Sequence, residues 1–218
     1  MREVKGFING EFVSSGEMGE IYSPTTGELV CNYHRTSVEQ VGEAVAAARA
    51  ALKGPWAGYS IQDRVDILYK IADGINARFD EFLEAECLDT GKPYSLASHI
   101  DIPRGAANFK IFADTIKNAA DEAFHMPTPD GTGALNYTVR KPKGVIGVIG
   151  PWNLPLLLMT WKIAPALACG DTVVVKPSEE TQLTSSLLGE VMNDAGVPKG
   201  VYNVILGKGS KIGEALIT

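Results

Sequence analysis

The sequence predicts a protein of the α/β class, with a Rossmann-like parallel sheet flanked by helices and, before it, an N-terminal segment that is mainly helical. Three short β-branched runs begin at Val145, Thr172 and Tyr202, and these starts are 27 and 30 residues apart. That spacing is close to the roughly 30 residues of a βαβ unit. Each run is continuously apolar, which is typical of parallel strands covered on both faces. A helix-compatible segment follows each run.

The first 52 residues predict a hairpin and a helix. The pair Asn9-Gly10 within FINGEFV is a turn signal between two strand-like runs, so we expect an opening hairpin at the periphery of the fold. Thr36 and Glu39 have the spacing of a capping box. Apolar residues at helical spacing follow them as far as Leu52, which predicts a helix there.

Two longer helical patterns and a strand-like run complete the part before Gly144. Apolar residues three and four apart predict a helix from Ser60 to about Leu88 and another from about Ala97 to Ala120. Pro103 must restart or kink the latter, because proline lacks the backbone N–H that a helix interior needs. The run LNYTVRKPKG alternates like a strand, but its prolines and charges suit an edge or an arm outside the main sheet.

Composition and charge exclude several classes of protein. The net charge is -6, the pI is near 5.1 and the basic residues are scattered, which argues against a nucleic-acid binder. No basic start precedes an apolar stretch, so we expect no signal peptide and a cytoplasmic protein. The longest apolar segment, 154–168, contains Lys162 and two prolines and is shorter than the roughly 20 residues of a membrane span.

Three cysteines, Cys31, Cys87 and Cys169, lie far apart in the sequence. They form no CxxC pair and have no histidine nearby, so we expect reduced thiols, without a disulfide framework or a metal site. Cys169 follows an apolar helix beside Gly170. We interpret it as a small buried hydrophobic residue, with a nucleophile as the alternative.

Ligands of open parallel sheets bind outside the carboxyl ends of the strands, so the residues at which each run ends are the candidate site. After the first run, Asn153 stands in GPWNLP between Pro151 and Pro155, and the two prolines restrict where its side chain can point. A rigid amide suits the stabilisation of negative charge on a substrate oxygen. The alternative is that Asn153 only hydrogen-bonds its own turn.

The second and third runs end on residues that suit a nucleotide. Lys176 and Glu179 in VVVKPSE could bind ribose hydroxyls, and Glu179 would repel a 2′-phosphate, which favours NAD over NADP. The alternative is a solvated lysine and a glutamate that stabilises a helix start. Gly207, Gly209 and Gly213 form a GxGxxxG pattern that either lets a ligand approach the backbone or only makes a tight turn.

These strand ends, in this order, resemble those of the aldehyde dehydrogenase superfamily. The resemblance covers nearly the whole chain and is carried by VIGPWNLPLLLMTWKIAPALACGDTVVVKPSEETQLT, with FINGEF, DTGKP and AGVPKGVYNVILGKG in support. It implies NAD(P)-linked oxidation of an aldehyde to an acid, with Asn153 as the oxyanion-stabilising residue and with Lys176 and Glu179 as ligands of the adenosine ribose. The charge of Glu179 favours NAD as the cofactor. The other residues that the resemblance places along NAD are Ile149, Pro151, Trp152, Ser178, Gly207 and Gly209.

The resemblance also implies a domain organisation. Residues 1–132 would be the mainly helical N-terminal part of a cofactor-binding domain, 133–144 part of a β oligomerisation arm, and 145–218 the Rossmann-like βαβ part. The family's nucleophilic cysteine and general-base glutamate would lie beyond Thr218, and the chain stops within a helical pattern. We therefore expect an inactive N-terminal fragment of a homo-oligomeric enzyme, a dimer or tetramer at full length.

Within the superfamily, ECLDTGKPYSLASHIDIPRGAANFKIFAD and PWNLPLLLMTWK resemble the branch that oxidises 2-hydroxymuconic or 2-aminomuconic semialdehyde in aromatic-ring degradation. Such substrates carry a carboxylate, and Arg104 in small, apolar surroundings suits a bidentate contact with it. The alternative for Arg104 is an ion pair with Asp101 or Asp114. The alternative functions are a dehydrogenase for a neutral or cationic aldehyde, of the betaine aldehyde type, and a non-catalytic nucleotide-binding protein.

Overall fold

The computed structural model describes residues 2–217. A short 3₁₀ helix covers Pro55–Gly58. The strands of this range are β1 (Arg2–Val4), β2 (Gly6–Ile8), β3 (Glu11–Val13), β4 (Met18–Tyr22), β5 (Leu29–His34), β6 (Ala123–Met126), β7 (Ala134–Tyr137), β8 (Val145–Ile149), β9 (Thr172–Lys176) and β10 (Tyr202–Val204). The helices are α1 (Val38–Ala51), α2 (Ile61–Ala77), α3 (Phe79–Thr90), α4 (Tyr94–His99), α5 (Asp101–Lys117), α6 (Pro155–Ala168), α7 (Leu183–Asp194) and α8 (Gly209–Ile217).

The central sheet has the strand order β3-β2-β10-β9-β8. Strands β8, β9 and β10 are parallel neighbours, as predicted. Helix α6 connects β8 to β9 and helix α7 connects β9 to β10, so the three runs form two successive βαβ units. The predicted α/β class with a parallel, helix-flanked sheet is confirmed. Two smaller sheets, β1-β5-β4 and β6-β7, lie outside it.

Helices cover the central sheet on both faces, because alternate residues of each strand point to opposite sides. On one face, Val174 and Ile205 pack with α1 and α8. On the other face, Val173, Val175 and Val204 belong to the larger core, which includes the apolar sides of α2, α3, α5, α6 and α7. The helices predicted from the first half of the sequence therefore supply most of the larger core.

Strand β8 differs from the prediction that all three runs are covered on both faces. It is an edge strand of the described sheet, and half of the Ile149 side chain, 50%, is exposed. Helix α8 returns from β10 across the sheet towards this edge, since a β-carbon added at Gly147 would lie 3.7 Å from Leu216. The chain thus changes from one face of the sheet to the other after β10, which is the kind of switch point where α/β proteins bind ligands.

The prediction that the opening hairpin is peripheral is wrong. Strand β2 pairs with β10, with Phe7 opposite Val204, and β3 continues the sheet beyond it. Phe7 is buried and its ring lies 5.1 Å from that of Phe12 and 5.9 Å from that of Tyr202. The physical reason is that the outer edge of β10 needs a partner for its backbone groups, and the hairpin supplies one.

The capping box of α1 is formed by Ser37 and Gln40, not by Thr36 and Glu39. The Ser37 hydroxyl accepts from the Gln40 N–H at 3.2 Å, and the Gln40 side chain accepts from the Ser37 N–H at 3.1 Å. Thr36 is buried, and its hydroxyl accepts instead from the N–H of Leu206 at 2.8 Å. Thr36, predicted as the helix cap, therefore connects the start of α1 to the segment that follows β10.

Each of the two long predicted helices is two helices in the structure. The first is interrupted at Arg78, whose guanidinium pairs with Glu81 at 2.8 Å and with Glu190 at 2.6 Å. The second is interrupted at Ile100, and Pro103 becomes the third residue of α5, where the missing N–H does no harm. The apolar spacing hid both breaks, because the buried face continues across them.

The cysteines and the strand-like run before Gly144 differ in part from expectation. Cys31 and Cys87 are buried, whereas Cys169, expected to be buried, is exposed because it caps the end of α6. The run at 135–144 contributes most of β7, which pairs with β6, a strand that was not predicted from the sequence. The β6–β7 hairpin stands apart from the main sheet and exposes Phe124, Met126, Leu135 and Tyr137. No helix within residues 2–217 is long and apolar enough to cross a membrane.

Candidate functional site

The carboxyl ends of β8, β9 and β10 lie side by side. Ile149, the last residue of β8, is in register with Lys176, the last residue of β9, and Val175 is in register with Val204 of β10. The N–H of Gly150 extends the ladder by donating to the Lys176 carbonyl at 2.9 Å. The three loops that follow the strands therefore share one rim of the sheet, and this rim, with the loops 150–154, 177–182 and 205–208, is the candidate site.

Asn153 occupies a bend between β8 and α6 and is exposed. Among the described residues its side chain has no hydrogen-bond partner, so the alternative that it bonds its own turn is wrong. The strand before it is fixed from a second direction, since the Lys162 ammonium donates to the Ile149 carbonyl at 2.6 Å. The Asn153 amide is thus available to donate to an oxygen outside the chain, from a backbone that is anchored nearby.

Glu86 reaches the other end of this loop. Its carboxylate accepts from the N–H of Leu156, in the first turn of α6, at 3.3 Å. The side chain is fully buried, and burial raises its pKa to about 7 against the opposing effect of Lys92. Glu86 was not predicted from the sequence, although a signal was present: it lies four residues after Phe82 and three before Asp89, on the buried side of α3.

Lys176 and Glu179 meet at the end of β9. The Lys176 side chain is only 6% exposed, donates to the Pro177 carbonyl at 3.0 Å and lies 4.0 Å from the Glu179 carboxylate. Burial lowers the pKa of the Lys176 ammonium, and Glu179 partly opposes this. The alternative of a solvated lysine and a helix-start glutamate is wrong, because Lys176 is buried and α7 begins only at Leu183.

Glu179 also joins the second loop to the third. Its carboxylate accepts from the N–H of Gly209, the first residue of α8, at 3.2 Å. Gly207 has a φ of 146°, which favours glycine, and at Gly209 an added β-carbon would lie 3.9 Å from the Lys176 side chain. Gly213 has open space around it and takes no part in this contact. Two of the three glycines in the pattern therefore belong to the site.

The remaining residues predicted along the cofactor line the accessible side of the rim. Ile149 is 50% and Trp152 63% exposed, while Pro151 and Ser178 are half-buried. The Ser178 hydroxyl accepts from the N–H of Glu180 at 3.3 Å, which stabilises the loop after β9. The rim therefore combines apolar surface next to β8 with polar groups next to β9 and β10.

This combination suits one half of a dinucleotide. A carboxylate can accept hydrogen bonds from two ribose hydroxyls, and the N–H groups at the start of α8 carry the partial positive charge that phosphates favour. The same carboxylate would disfavour a phosphate on the ribose. No group of His, Cys, Asp and Glu that could hold a metal ion is found within residues 2–217.

Arg104 is exposed on α5 and forms no ion pair with the described residues. The two carboxylates considered as its alternative partners are engaged elsewhere. Asp101 lies 3.0 Å from the Lys92 ammonium, and Asp114 accepts from the Tyr69 hydroxyl at 2.7 Å. The structural ion pair is therefore excluded for Arg104, and its guanidinium is available to a carboxylate from outside.

Helix α5 brings Arg104 close to the start of α6. A β-carbon added at Gly105 would lie 2.8 Å from the Leu156 side chain, so the absence of a side chain at this position permits the close approach. On the same two helices Ile111 and Trp161 are exposed, and the Trp161 ring makes an edge contact with that of Phe112 at 5.6 Å. A cation and exposed apolar side chains are thus present on α6, which follows the Asn153 loop, and on α5, which packs against α6.

The larger cavity of the molecule does not coincide with this rim. It has a volume of about 790 Å³ and is lined by residues at the amino ends of β8 and β9 and by the β7 side of the arm, including Lys143, Asp171, Cys169 and Arg140. A cavity of about 460 Å³ lies between the start of α1 and Gly207. We place the site at the rim because the chemical groups converge there. The open edge of β8 leaves the rim unenclosed on one side, which explains why the larger of these two cavities lies elsewhere.

Comparison with known proteins finds related sequences and similar folds. The family described as "Aldehyde dehydrogenase family" matches residues 12–218. The chain is 66% identical over 220 residues to the 2-hydroxymuconic semialdehyde dehydrogenase of Pseudomonas sp. (strain CF600). This match covers 100% of the chain and 45% of that relative. It is 42% identical to the 2-aminomuconic semialdehyde dehydrogenase of Homo sapiens, over 99% of the chain and 43% of the relative.

The fold is similar to that of solved aldehyde dehydrogenases. An NAD⁺ complex structure of aldehyde dehydrogenase from Bacillus cereus superposes with a TM-score of 0.94 at 38% identity, over 99% of the chain and 44% of that protein. The chain therefore spans somewhat less than half the length of the relatives that it matches.

Proposed function

The chain belongs to the aldehyde dehydrogenase family, and we propose that it forms the NAD-binding part of an enzyme that oxidises a carboxylated semialdehyde of the 2-hydroxymuconate type to the dicarboxylic acid. The observation that carries the proposal is the shared rim, where Asn153, Lys176, Glu179 and Gly209 stand at the ends of three adjacent strands. The names of the relatives, semialdehyde dehydrogenases at 66% and 42% identity, support the substrate class.

In the proposed reaction, this chain holds the cofactor and stabilises charge. NAD, when bound, accepts the hydride that leaves the aldehyde carbon. Lys176 and Glu179 bind the adenosine ribose, and Ile149, Pro151, Trp152, Ser178, Gly207 and Gly209 line the groove. The Asn153 amide donates to the aldehyde oxygen as negative charge develops on it, and its unpartnered state means that no internal hydrogen bond must break first. We assign the nucleophile and the general base to no residue of this chain.

Arg104 supplies the proposed substrate selectivity. Its guanidinium is exposed, unpaired within the described chain and carried by the helix that packs on the start of α6. A planar guanidinium forms two parallel hydrogen bonds to a carboxylate, which a neutral or cationic aldehyde does not offer. This arrangement favours a carboxylated semialdehyde over a substrate of the betaine aldehyde type.

We also propose the domain division and the assembly of the whole protein. Residues 1–132 and 145–218 contribute to the cofactor-binding domain, and 133–144 belong to an oligomerisation arm through which a dimer or tetramer forms. The hairpin exposes apolar side chains on both of its faces, Phe124 and Met126 on one and Leu135 and Tyr137 on the other. This supports the proposal, because exposed apolar surface is typical of interfaces. A cytoplasmic location agrees with the free thiols of Cys87 and Cys169.

The proposal is tested in the protein that contains this chain, by following NADH formation with 2-hydroxymuconate semialdehyde and with an uncharged aldehyde. We expect kcat/KM to be higher for the carboxylated substrate, and Arg104→Ala to lower that value selectively. A charge-preserving control is Arg104→Lys, which should retain part of the preference. An equal loss for both aldehydes would remove the specificity argument, and the absence of NADH formation with any aldehyde would favour a non-catalytic nucleotide-binding protein.

A further inference from the structure

The loop that carries Asn153 is anchored near each end by a hydrogen bond to a distant part of the chain. At its start, the N–H of Gly150 donates to the Lys176 carbonyl at 2.9 Å. Just beyond its end, the N–H of Leu156 donates to the Glu86 carboxylate at 3.3 Å. Between these two anchors Asn153 itself has no partner among the described residues. The direction of its amide therefore depends on the backbone positions that the anchors fix.

Helix α6 needs an acceptor from elsewhere at its start. The residue before the helix, Leu154, has no side-chain acceptor, and Pro155 at the first position has no N–H to satisfy. Leu156 thus carries the first free N–H of the helix, where the partial positive charge of the helix dipole is concentrated. Glu86 on α3 takes the place that a serine or aspartate cap would occupy in a self-capped helix.

The surroundings of Glu86 indicate that its position is specific. The side chain is fully buried, with Lys92 at 3.6 Å and, beyond it, Asp101 at the start of α5, 3.0 Å from the same ammonium. On α3 itself the titratable neighbours are Cys87 and Asp89, and the first turn of α6 has no acidic residue. Burying a carboxylate is costly unless it makes specific hydrogen bonds, and the contact with Leu156 is such a bond.

We propose that Glu86 is a positioning residue for Asn153: by holding the first N–H of α6, it fixes the end of the Asn153 loop and so the direction of the amide. This rests on the proposed function, in which that amide meets the aldehyde oxygen. Glu86 touches neither substrate nor cofactor. A displacement of about 1 Å in a charge-stabilising group costs on the order of a hundredfold in rate. Loss of the hydrogen bond between Glu86 and Leu156 should therefore lower turnover strongly.

Helix α3 offers an internal comparison. Asp89, one turn after Glu86, accepts from the N–H of Leu183 at the start of α7 at 2.8 Å. It is also buried and also holds the first turn of a helix, but that helix follows the cofactor loop and not the Asn153 loop. Removing Asp89 therefore reproduces the loss of a buried helix-start acceptor without touching the anchor of Asn153.

The experiment compares Glu86→Gln, Glu86→Asp, Glu86→Ala and Asp89→Ala with the wild type in the protein that contains this chain, with Glu84→Gln as an exposed control on the same helix. Glu86→Gln keeps an acceptor at the same distance, and we expect its kcat within about threefold of the wild type at pH 8. Glu86→Asp withdraws the acceptor, and Glu86→Ala removes it. We expect kcat to fall about tenfold or more in both, with the KM for NAD within about twofold.

Asp89→Ala should show the opposite pattern, with a raised KM for NAD and a smaller loss of kcat. Equal losses of kcat in Glu86→Ala and Asp89→Ala would overturn the proposal, since they would indicate a general loss of structure. If Glu86→Ala fails to fold, the kcat values of Glu86→Asp and Glu86→Gln decide. A higher kcat in Glu86→Asp than in Glu86→Gln would also overturn the proposal, because the charge and not the position of the acceptor would then matter.

A second readout does not depend on turnover. Amide hydrogen exchange of a peptide covering 150–158 should accelerate about tenfold or more in Glu86→Asp but remain near the wild-type rate in Glu86→Gln and Glu84→Gln. Unchanged exchange in Glu86→Asp would refute the anchoring. If the wild type oxidises no aldehyde, the proposed function fails, while the exchange rates still decide whether Glu86 holds this loop.

Discussion

The Glu179 carboxylate accepts a hydrogen bond from the backbone N–H of Gly209 at 3.2 Å, across the gap between the loops that follow β9 and β10. The same oxygen lies 4.0 Å from the Lys176 ammonium. One carboxylate thus sets the geometry of two strand ends, and it carries the negative charge that a ribose 2′-phosphate would meet.

Glu179→Gln should relax the preference for NAD over NADP. Glutamine keeps an acceptor for the Gly209 N–H but removes the charge that repels a 2′-phosphate, so we expect the NADP to NAD ratio of kcat/KM to rise about tenfold. Steady-state kinetics with both cofactors, at low and at high salt, measure this. The electrostatic account is wrong if the ratio does not move.

Asn153→Ala should lower kcat about a hundredfold, the usual scale for one oxyanion donor, with little change in the KM for NAD. The reason is that the exposed amide has no partner within residues 2–217, so we expect its removal to leave the fold unchanged. The exposed Asn76 of α2 serves as a matched control, and Asn76→Ala should have unaltered kinetics. Wild-type turnover in Asn153→Ala would refute the role.

Gly207→Ala should destabilise the chain by about 1–3 kcal/mol, because a φ of 146° strains any residue with a β-carbon. Gly213 provides the contrast, since it lies in α8 with open space around it and has no positive φ. Gly213→Ala should be neutral or stabilising by up to about 1 kcal/mol. Denaturant unfolding of the two variants checks this, and equal destabilisation of both would contradict the conformational argument.

The stability of the fold should depend on the ionisation of Glu86. Its pKa is raised from an ordinary value of 4.5 to about 7 in the fold, chiefly by burial, so the folded state favours the protonated carboxyl. Its contribution is fully present below about pH 4.5 and is lost as the pH rises through about 7, on the order of 3 kcal/mol in all.

The measurement is the free energy of unfolding at several pH values between about 4.5 and 8, for the wild type and for Glu86→Gln. Groups that do not interact with Glu86 contribute to both proteins alike, so the difference between the two curves reports Glu86 together with its coupling to Lys92 and Asp101. We expect the wild type to lose stability relative to the variant as the pH rises. Parallel curves would show that the carboxyl has an ordinary pKa in the fold.

The βαβ pattern and the residues at the strand ends could be predicted from the sequence because both are local. Continuous apolar runs about 30 residues apart predict parallel strands, and parallel strands end at one edge, so Asn153, Lys176 and Glu179 had to lie near each other. The position of the hairpin at Asn9-Gly10 could not be predicted in this way. Its turn is local, but its place beside β10 depends on a contact between residues nearly 200 positions apart in the chain.

The role of Glu86 depends on a contact between distant segments of the chain. Its spacing from Phe82 and Asp89 put it on a buried helix face, but no local pattern could identify the N–H of Leu156, 70 residues later, as its partner. The break at Arg78 was hidden for a related reason. Apolar periodicity indicates which face of a helix is buried. It does not reveal a break, such as that at Arg78, across which the same face stays buried.

From the order of its residues the chain specifies which segments are strands and helices, where the strands end and which chemical groups stand there, since propensity and periodicity act over a few neighbouring positions. Folding in three dimensions specifies the rest: the hairpin that completes the sheet, the burial of Lys176, the absence of an ion pair between Arg104 and any residue of 2–217, and the Glu86 carboxylate at the start of α6. Each of these depends on desolvation and on contacts between distant segments, which exist once the chain is packed.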